Sequence, residues 1–154
     1  MKTRFIETEK QIAGNEIKEL ELKLNFKFPD SYKDHILKNN GGRCEPNVFF
    51  FEEQGTSSNS SVDWFLAIYD GEYDNLENYF VMYKIAEERM PNSLFPIAHD
   101  PGGNLICMDS RDGKIYFWDH EKEPSHKNPI FNGWENVYFV SNSINEFLKN
   151  LRNL

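Results

Sequence analysis

Cysteine is scarce in this chain of 154 residues: Cys44 and Cys107 stand far apart and match no metal or redox spacing. They read as reduced thiols of a cytosolic protein, Cys107 within a buried apolar run. Long hydrophobic runs are also missing. The longest extend over a few residues, against the roughly 20 that a membrane helix requires. No apolar stretch of signal-peptide length follows the basic start Met1-Lys2-Thr3-Arg4, so the expected location is the cytoplasm, away from membranes. Positive charge is absent from residues 44–83, which hold neither Lys nor Arg. The same stretch carries eight acids, Glu45, Glu52, Glu53, Asp63, Asp70, Glu72, Asp74 and Glu77, and the remaining 17 acids match all 17 bases. The whole net charge of −8 therefore comes from one segment. Phosphate would be repelled there, which argues against nucleic acid as a direct ligand, whereas a basic protein would be attracted and steered.

The motifs of common chemistries are missing as well. The four histidines show no i, i+4 pair on a helix and no C-x-x-C accompanies them, so no zinc site is expected. His120 and His126 lie in a charged loop and read as solvated, and His99 reads as a hydrogen-bonded residue beside a turn. Asp109-Ser110-Arg111-Asp112-Gly113 starts like a calcium loop but places Arg111 where an oxygen ligand is needed, and reads as a hairpin. Asp100-Pro101-Gly102-Gly103-Asn104 lacks the Lys-Ser/Thr of a phosphate-binding loop and opens a strand, so it reads as a turn. Neither a nucleophile elbow nor a cysteine-nucleophile signature occurs. No catalytic residue, metal or cofactor is expected.

Aromatic residues are plentiful. Thirteen Phe, seven Tyr and three Trp can fill the core of one domain, expected over residues 1–154. Asn15 is a candidate N-cap for a helix with Ile17, Leu20 and Leu24 on one face, ending near Asn25. Asp30 or Ser31 opens a second helix with Tyr32, His35 or Ile36, and Leu37 inward, closed by Asn39-Asn40-Gly41-Gly42. Val48-Phe49-Phe50-Phe51 reads as a strand, residues 56–61 as a polar loop, and residues 64–69 as a second strand. From Leu76 the spacing of Tyr79, Phe80, Tyr83 and Ala86 turns helical, with Pro91 closing it. Strands at 94–98, 105–108, 115–118 and 137–140 are apolar on both faces, so both faces need cover. Pro96 suggests an edge strand or a late-starting ladder. A polar insert spans 119–128. Ser143 opens a last helix with Ile144, Phe147, Leu148 and Leu151 inward. The class is α+β.

The order of these landmarks resembles the SUKH superfamily, which includes the fungal Smi/Knr cell-wall regulators and many bacterial immunity proteins. The resemblance rests on Phe28-Pro29-Asp30-Ser31-Tyr32-Lys33, Asn39-Asn40-Gly41-Gly42, Phe95-Pro96-Ile97-Ala98, Asp100-Pro101-Gly102-Gly103-Asn104, Gly113-Lys114-Ile115-Tyr116-Phe117-Trp118-Asp119-His120 and Ser143-Ile144. It covers residues 17–151, with Phe28 standing where the family commonly has Leu. It implies a curved, mostly antiparallel sheet flanked by helices. It also implies a non-catalytic immunity role, binding and silencing a cognate toxin, frequently a nuclease. The family supplies no catalytic residues to carry over. Joined to the charge pattern, it makes a basic toxin domain the expected partner. Glu52, Glu53, Asp63, Asp70, Glu72 and Asp74 are the expected contact residues, with Trp64 as an anchor. A regulatory scaffold of the fungal type is the alternative reading, and an enzyme built around His99 is a third.

Overall fold

Apolar side chains spaced three and four apart set the helices. The computed structural model describes residues 3–123 and 133–154. Helix α1, Gly14–Leu24, buries Ile17, Leu20 and Leu24. It begins two residues earlier than Asn15 suggested: Ala13 holds the N-cap position, with no side-chain cap, and Asn15 lies in the first turn. An N-cap preference is worth about 1 kcal/mol, too little to fix a boundary that extra backbone hydrogen bonds can shift. Asn25 closes α1 in the left-handed conformation, φ 51°, as the expected stop requires. Helix α2, Asp30–Lys38, starts after Pro29 and buries Tyr32 and Ile36, with Leu37 partly buried against the core.

Gly41 and Gly42 then let the chain turn at close quarters. Both have positive φ, and a Cβ on Gly41 would lie 2.6 Å from that of Ala67. No larger residue fits this crossing.

Among the described residues the strands form three open antiparallel sheets. Strand β1, Arg4–Ile6, pairs with β2, Arg43–Glu45. Strand β3, Val48–Glu53, pairs along its whole length with β4, Thr56–Ser61. The polar loop expected at 56–61 is therefore a strand: its Ser side chains need no core face because β3 supplies the buried phenylalanines. The third sheet holds five strands, β5 (Trp64–Phe65), β6 (Leu94–His99), β7 (Leu105–Asp109), β8 (Ile115–Trp118) and β9 (Val137–Ser141), in that order.

Strand β5 is far shorter than the 64–69 expected. Trp64 pairs with His99 and Phe65 with Ala98, and the Leu66 N–H still reaches the Ile97 carbonyl at 2.9 Å. The Ala67 N–H turns instead to the Asp74 carbonyl, 2.8 Å away. Strand β6 is not the edge strand that Pro96 suggested, since β5 and β7 flank it. The alternative fits, because its ladder to β5 starts late, at Ala98, and Pro96 lies beside a bulge in the β6–β7 pairing.

Helix α3, Leu76–Phe80, continues into a π-helical turn, Val81–Ala86, rather than regular helix, and Ala86 is exposed rather than inward. The wide turn leaves Tyr83 stacked on Tyr79 at 5.8 Å and edge-on to Trp118 at 5.6 Å. Helix α4, Ile144–Lys149, is capped by Ser143, whose hydroxyl accepts from the Glu146 N–H. Leu151 is buried beyond its end.

Both faces of β6–β8 are covered. Phe95, Ile106, Met108 and Phe117 join the aromatics and aliphatics of α1, α2 and α4 in the main core. Leu94, Cys107, Leu105 and Trp118 form a smaller core with Met90 on the other face. At ~25 cal/mol per Å² of apolar burial, these two layers supply most of the force that orders the strands. Both cysteines are buried and unbridged.

Candidate interaction surface

The 68–75 loop joins β5 to α3, and buried amides brace it. The Asn40 side-chain amide donates to the carbonyls of Lys10 (2.8 Å) and Ile68 (2.9 Å), and its oxygen accepts from the Ile68 N–H. Asn75 donates to the carbonyls of Tyr69 and Gly71, both at 2.9 Å, and caps α3 by accepting from Asn78. Asn40 and Asn75 are both buried, so each bond replaces water that could not follow.

His99, the last residue of β6, adds a third brace. Its Nε2 lies 2.6 Å from Asp74 Oδ1 and its Nδ1 3.1 Å from the Asp100 carbonyl, while the ring stacks on Tyr79 at 5.9 Å. Both nitrogens face oxygens of the chain itself, so this is a structural histidine at the turn. The adjoining turn is structural too. Asp100 is buried and accepts from the N–H groups of Gly102 and Asn104, from the Asn104 amide and from the Ser60 hydroxyl.

His120 differs from its solvated reading: its Nε2 lies 2.8 Å from the Gly102 carbonyl, across the same turn. His126 and the end of the polar insert lie outside the described residues. Asp109 is buried, ion-paired to Arg111 at 2.7 Å, and accepts from the Arg111 N–H, as a hairpin residue does. Among the described residues no three His, Cys, Asp or Glu side chains converge as a metal ligand set.

Folding redistributes the charge that the sequence segregates. Glu45 pairs with Arg4, Glu77 with Lys23 at 2.6 Å, and Glu53 with Lys122. Asp63 lies 3.7 Å from Arg43 and 3.9 Å from His99, and Asp74 is held by His99. Trp64 is half-buried beneath the Arg43 guanidinium, 5.5 Å from its ring centre. Glu52, Asp70 and Glu72 are exposed and make no ion pair among the described residues.

The seven nominated residues thus fall into three groups. Glu52 and Glu53 lie near the tip of the β3–β4 hairpin, opposite Ser57 and Thr56. Asp63, Trp64 and Asp74 gather around Arg43 and His99 at the hairpin's other end. Asp70 and Glu72 stand on the braced loop. Arg43, Asn40 and Asn75 were not found by sequence reading. Arg43 and Asn40 carry no motif, and only their long-range pairings reveal their roles. Asn75 precedes α3 as its N-cap, a local signal that could have found it.

Other acids join the loop from α1 and the segment before it. The Tyr69 phenol is pushed above its ordinary pKa, first by partial burial and then by Glu9, Asp74 and Glu72. Its hydroxyl donates to the Tyr73 carbonyl.

Comparison with known proteins adds two findings. The family model of the SMI1 / KNR4 family (SUKH-1) matches residues 11–150. A relative, the SPbeta prophage-derived uncharacterized protein YokK of Bacillus subtilis (strain 168), is 31% identical over 157 aligned positions, spanning 90% of this chain and 74% of its own length.

Proposed function

The chain belongs to the SMI1/KNR4 family (SUKH-1), and from that premise we propose that it is a single-domain immunity protein of the cytoplasm. In this reading it has no catalytic role and neutralises a cognate toxin whose nucleic-acid-handling cleft is basic. The observation that supports it best is the braced loop at 68–75. Asp70 and Glu72 project there without an ion partner among the described residues, while Asn40, Asn75 and His99 hold the backbone beneath them. Two charges presented on a rigid frame suit protein recognition, because little ordering entropy remains to be lost on binding. Glu52 at the hairpin tip offers a third charge without an ion partner among the described residues. Glu53, Asp63 and Asp74 keep their proposed contact role only through the face of an ion pair, and Trp64 through the part of its ring that Arg43 leaves open.

The test is affinity capture from the native host at low and high salt, followed by a co-expression assay. Recovery of a basic toxin domain, partly lost at high salt, together with rescue of growth when both proteins are expressed, is the expected result. Recovery of envelope-synthesis or signalling proteins with no rescue would replace this reading with the regulatory one.

A further inference from the structure

Helix α1 and the 68–75 loop do not close upon each other. Between them runs a groove of about 580 Å³, within the size range of specific ligand sites. Its floor is apolar: Ile12, Leu20, Ile68 and the ring of Tyr69 line it. Its rim carries the carboxylates of Glu9, Glu16, Glu19, Asp70 and Glu77, against the ammonium groups of Lys10 and Lys23. Lys23 is already engaged by Glu77 at 2.6 Å. Glu16 and Glu19 are exposed on successive turns of one helix face and make no ion pair among the described residues.

We propose that this groove is the receptor for an arginine side chain projecting from the basic protein partner. The proposal rests on the toxin-binding reading above and places the anchor of that interface. Three features of the site fit arginine. Its aliphatic stem can cover Ile12, Leu20 and Ile68 while its head remains at the polar rim. Its planar guanidinium can stack on Tyr69 and donate forked N–H pairs to rim carboxylates, which a lysine cannot do. The rim also leaves uncompensated negative charge where such a head would sit. Arginine anchors seated in partly desolvated pockets are common centres of protein interfaces.

The groove combines two halves that lie far apart in the chain. Sequence reading placed the acidic surplus in residues 44–83, whereas three of the five rim carboxylates, Glu9, Glu16 and Glu19, come from before it.

The probe is a short capped peptide, Gly-Arg-Gly-Arg-Gly, titrated into the isotopically labelled protein and followed by amide chemical shifts. The same peptide with citrulline, and with lysine, in place of arginine serves as control. Perturbations centred on α1 and residues 68–72 are expected, strongest for arginine and absent for citrulline. The double variant Glu16→Lys/Glu19→Lys should weaken binding at least tenfold, while Asp34→Lys, an exposed site on α2 outside the groove, leaves it unchanged; helical circular dichroism checks that each variant folds. Shifts centred on the hairpin tip, shifts that follow net charge alone in every variant, or no shifts at millimolar peptide would overturn the proposal. Against a captured toxin the two readings separate. An unchanged Kd for the double variant removes the groove and leaves the immunity role. Peptide binding without any toxin partner does the reverse.

Discussion

His35 is packed by rings on α2, 5.4 Å from Phe5, 5.5 Å from Phe65 and 6.3 Å from Tyr32. Burial, with a smaller contribution from Lys38, lowers its pKa from 6.5 to about 4. The native imidazole therefore stays neutral where the unfolded one takes up a proton. Because the unfolded state binds more protons between those values, stability rises with pH across the window and is lost as pH falls from 6.5 toward 4. The loss should reach about 2 kcal/mol, from roughly 1.4 kcal/mol per unit with allowance for partial solvent access. Urea midpoints measured from pH 7 to pH 4 should show it, and His35→Leu should flatten that limb. An unaltered limb in the variant would place the acid sensitivity elsewhere. Buried thiols behave in the opposite sense: burial and then Glu45 push Cys44 up to about 12, and burial raises Cys107 as well. Neither is a thiolate at neutral pH, so alkylation of the native protein should be slow.

At the scale of elements, the β3–β4 hairpin shows most clearly what sequence reading can and cannot reach. Its two-residue turn places Gln54 at φ 52° and Gly55 at φ 79°, as a type I′ turn requires. Asn-Gly is the favoured pair for that turn, and Gln-Gly is a poor signal for it. The partner strand is almost entirely Ser, Thr and Asn, a composition that belongs to loops by propensity. Only the row of phenylalanines facing it turns β4 into a strand. Gln54→Asn should stabilise the protein by roughly 0.5–1 kcal/mol, since Asn adopts positive φ at lower cost. Gly55→Val should cost about 1–2 kcal/mol for the same reason. Thermal or urea unfolding reads both, and a neutral Gly55→Val would mean that the turn relaxes to another type. Elements whose own pattern decides them were legible: α1 from Ile17, Leu20 and Leu24, α4 from Ser143 and its inward face, and β7 and β8 from runs apolar on both sides. Strand β5 was misjudged because its end is set by the loop that follows, where Ala67 exchanges backbone bonds with Asp74 and Leu76. For the candidate surface, the acidic run was legible but its fate was not. Arg4, Arg43, Lys23, His99 and Lys122 reach it from distant positions, and no spacing rule encodes such pairs.

Over the whole molecule, electrostatics acts through net charge and through which charges remain unspent. The −8 total gives a long-range attraction for any basic partner, and Asp70 and Glu72 concentrate its accessible part beside the α1 groove. A test of steering has to spare the scaffold. Reversing Asp74 would break its 2.6 Å contact with His99 and loosen the loop, so a change in association would report unfolding as much as charge. Reversing Asp70 and Glu72 avoids this, because neither is buried or ion-paired among the described residues. Each reversal adds two units, so Asp70→Lys/Glu72→Lys takes the net charge from −8 to −4. Steering raises association rates by roughly 10- to 1,000-fold and fades with salt on the scale of a ~8 Å Debye length at physiological ionic strength. The association rate with a basic toxin should therefore fall about tenfold or more at low salt, with a shallower salt dependence. Dissociation should change through Asp70 alone, which also lines the α1 groove, because Glu72 acts mainly on encounter. Stopped-flow association at several ionic strengths separates the two rates. A variant that associates as fast as the parent at every salt concentration would show that the loop charges do not face the partner. The docking surface would then have to be sought at the hairpin tip around Glu52.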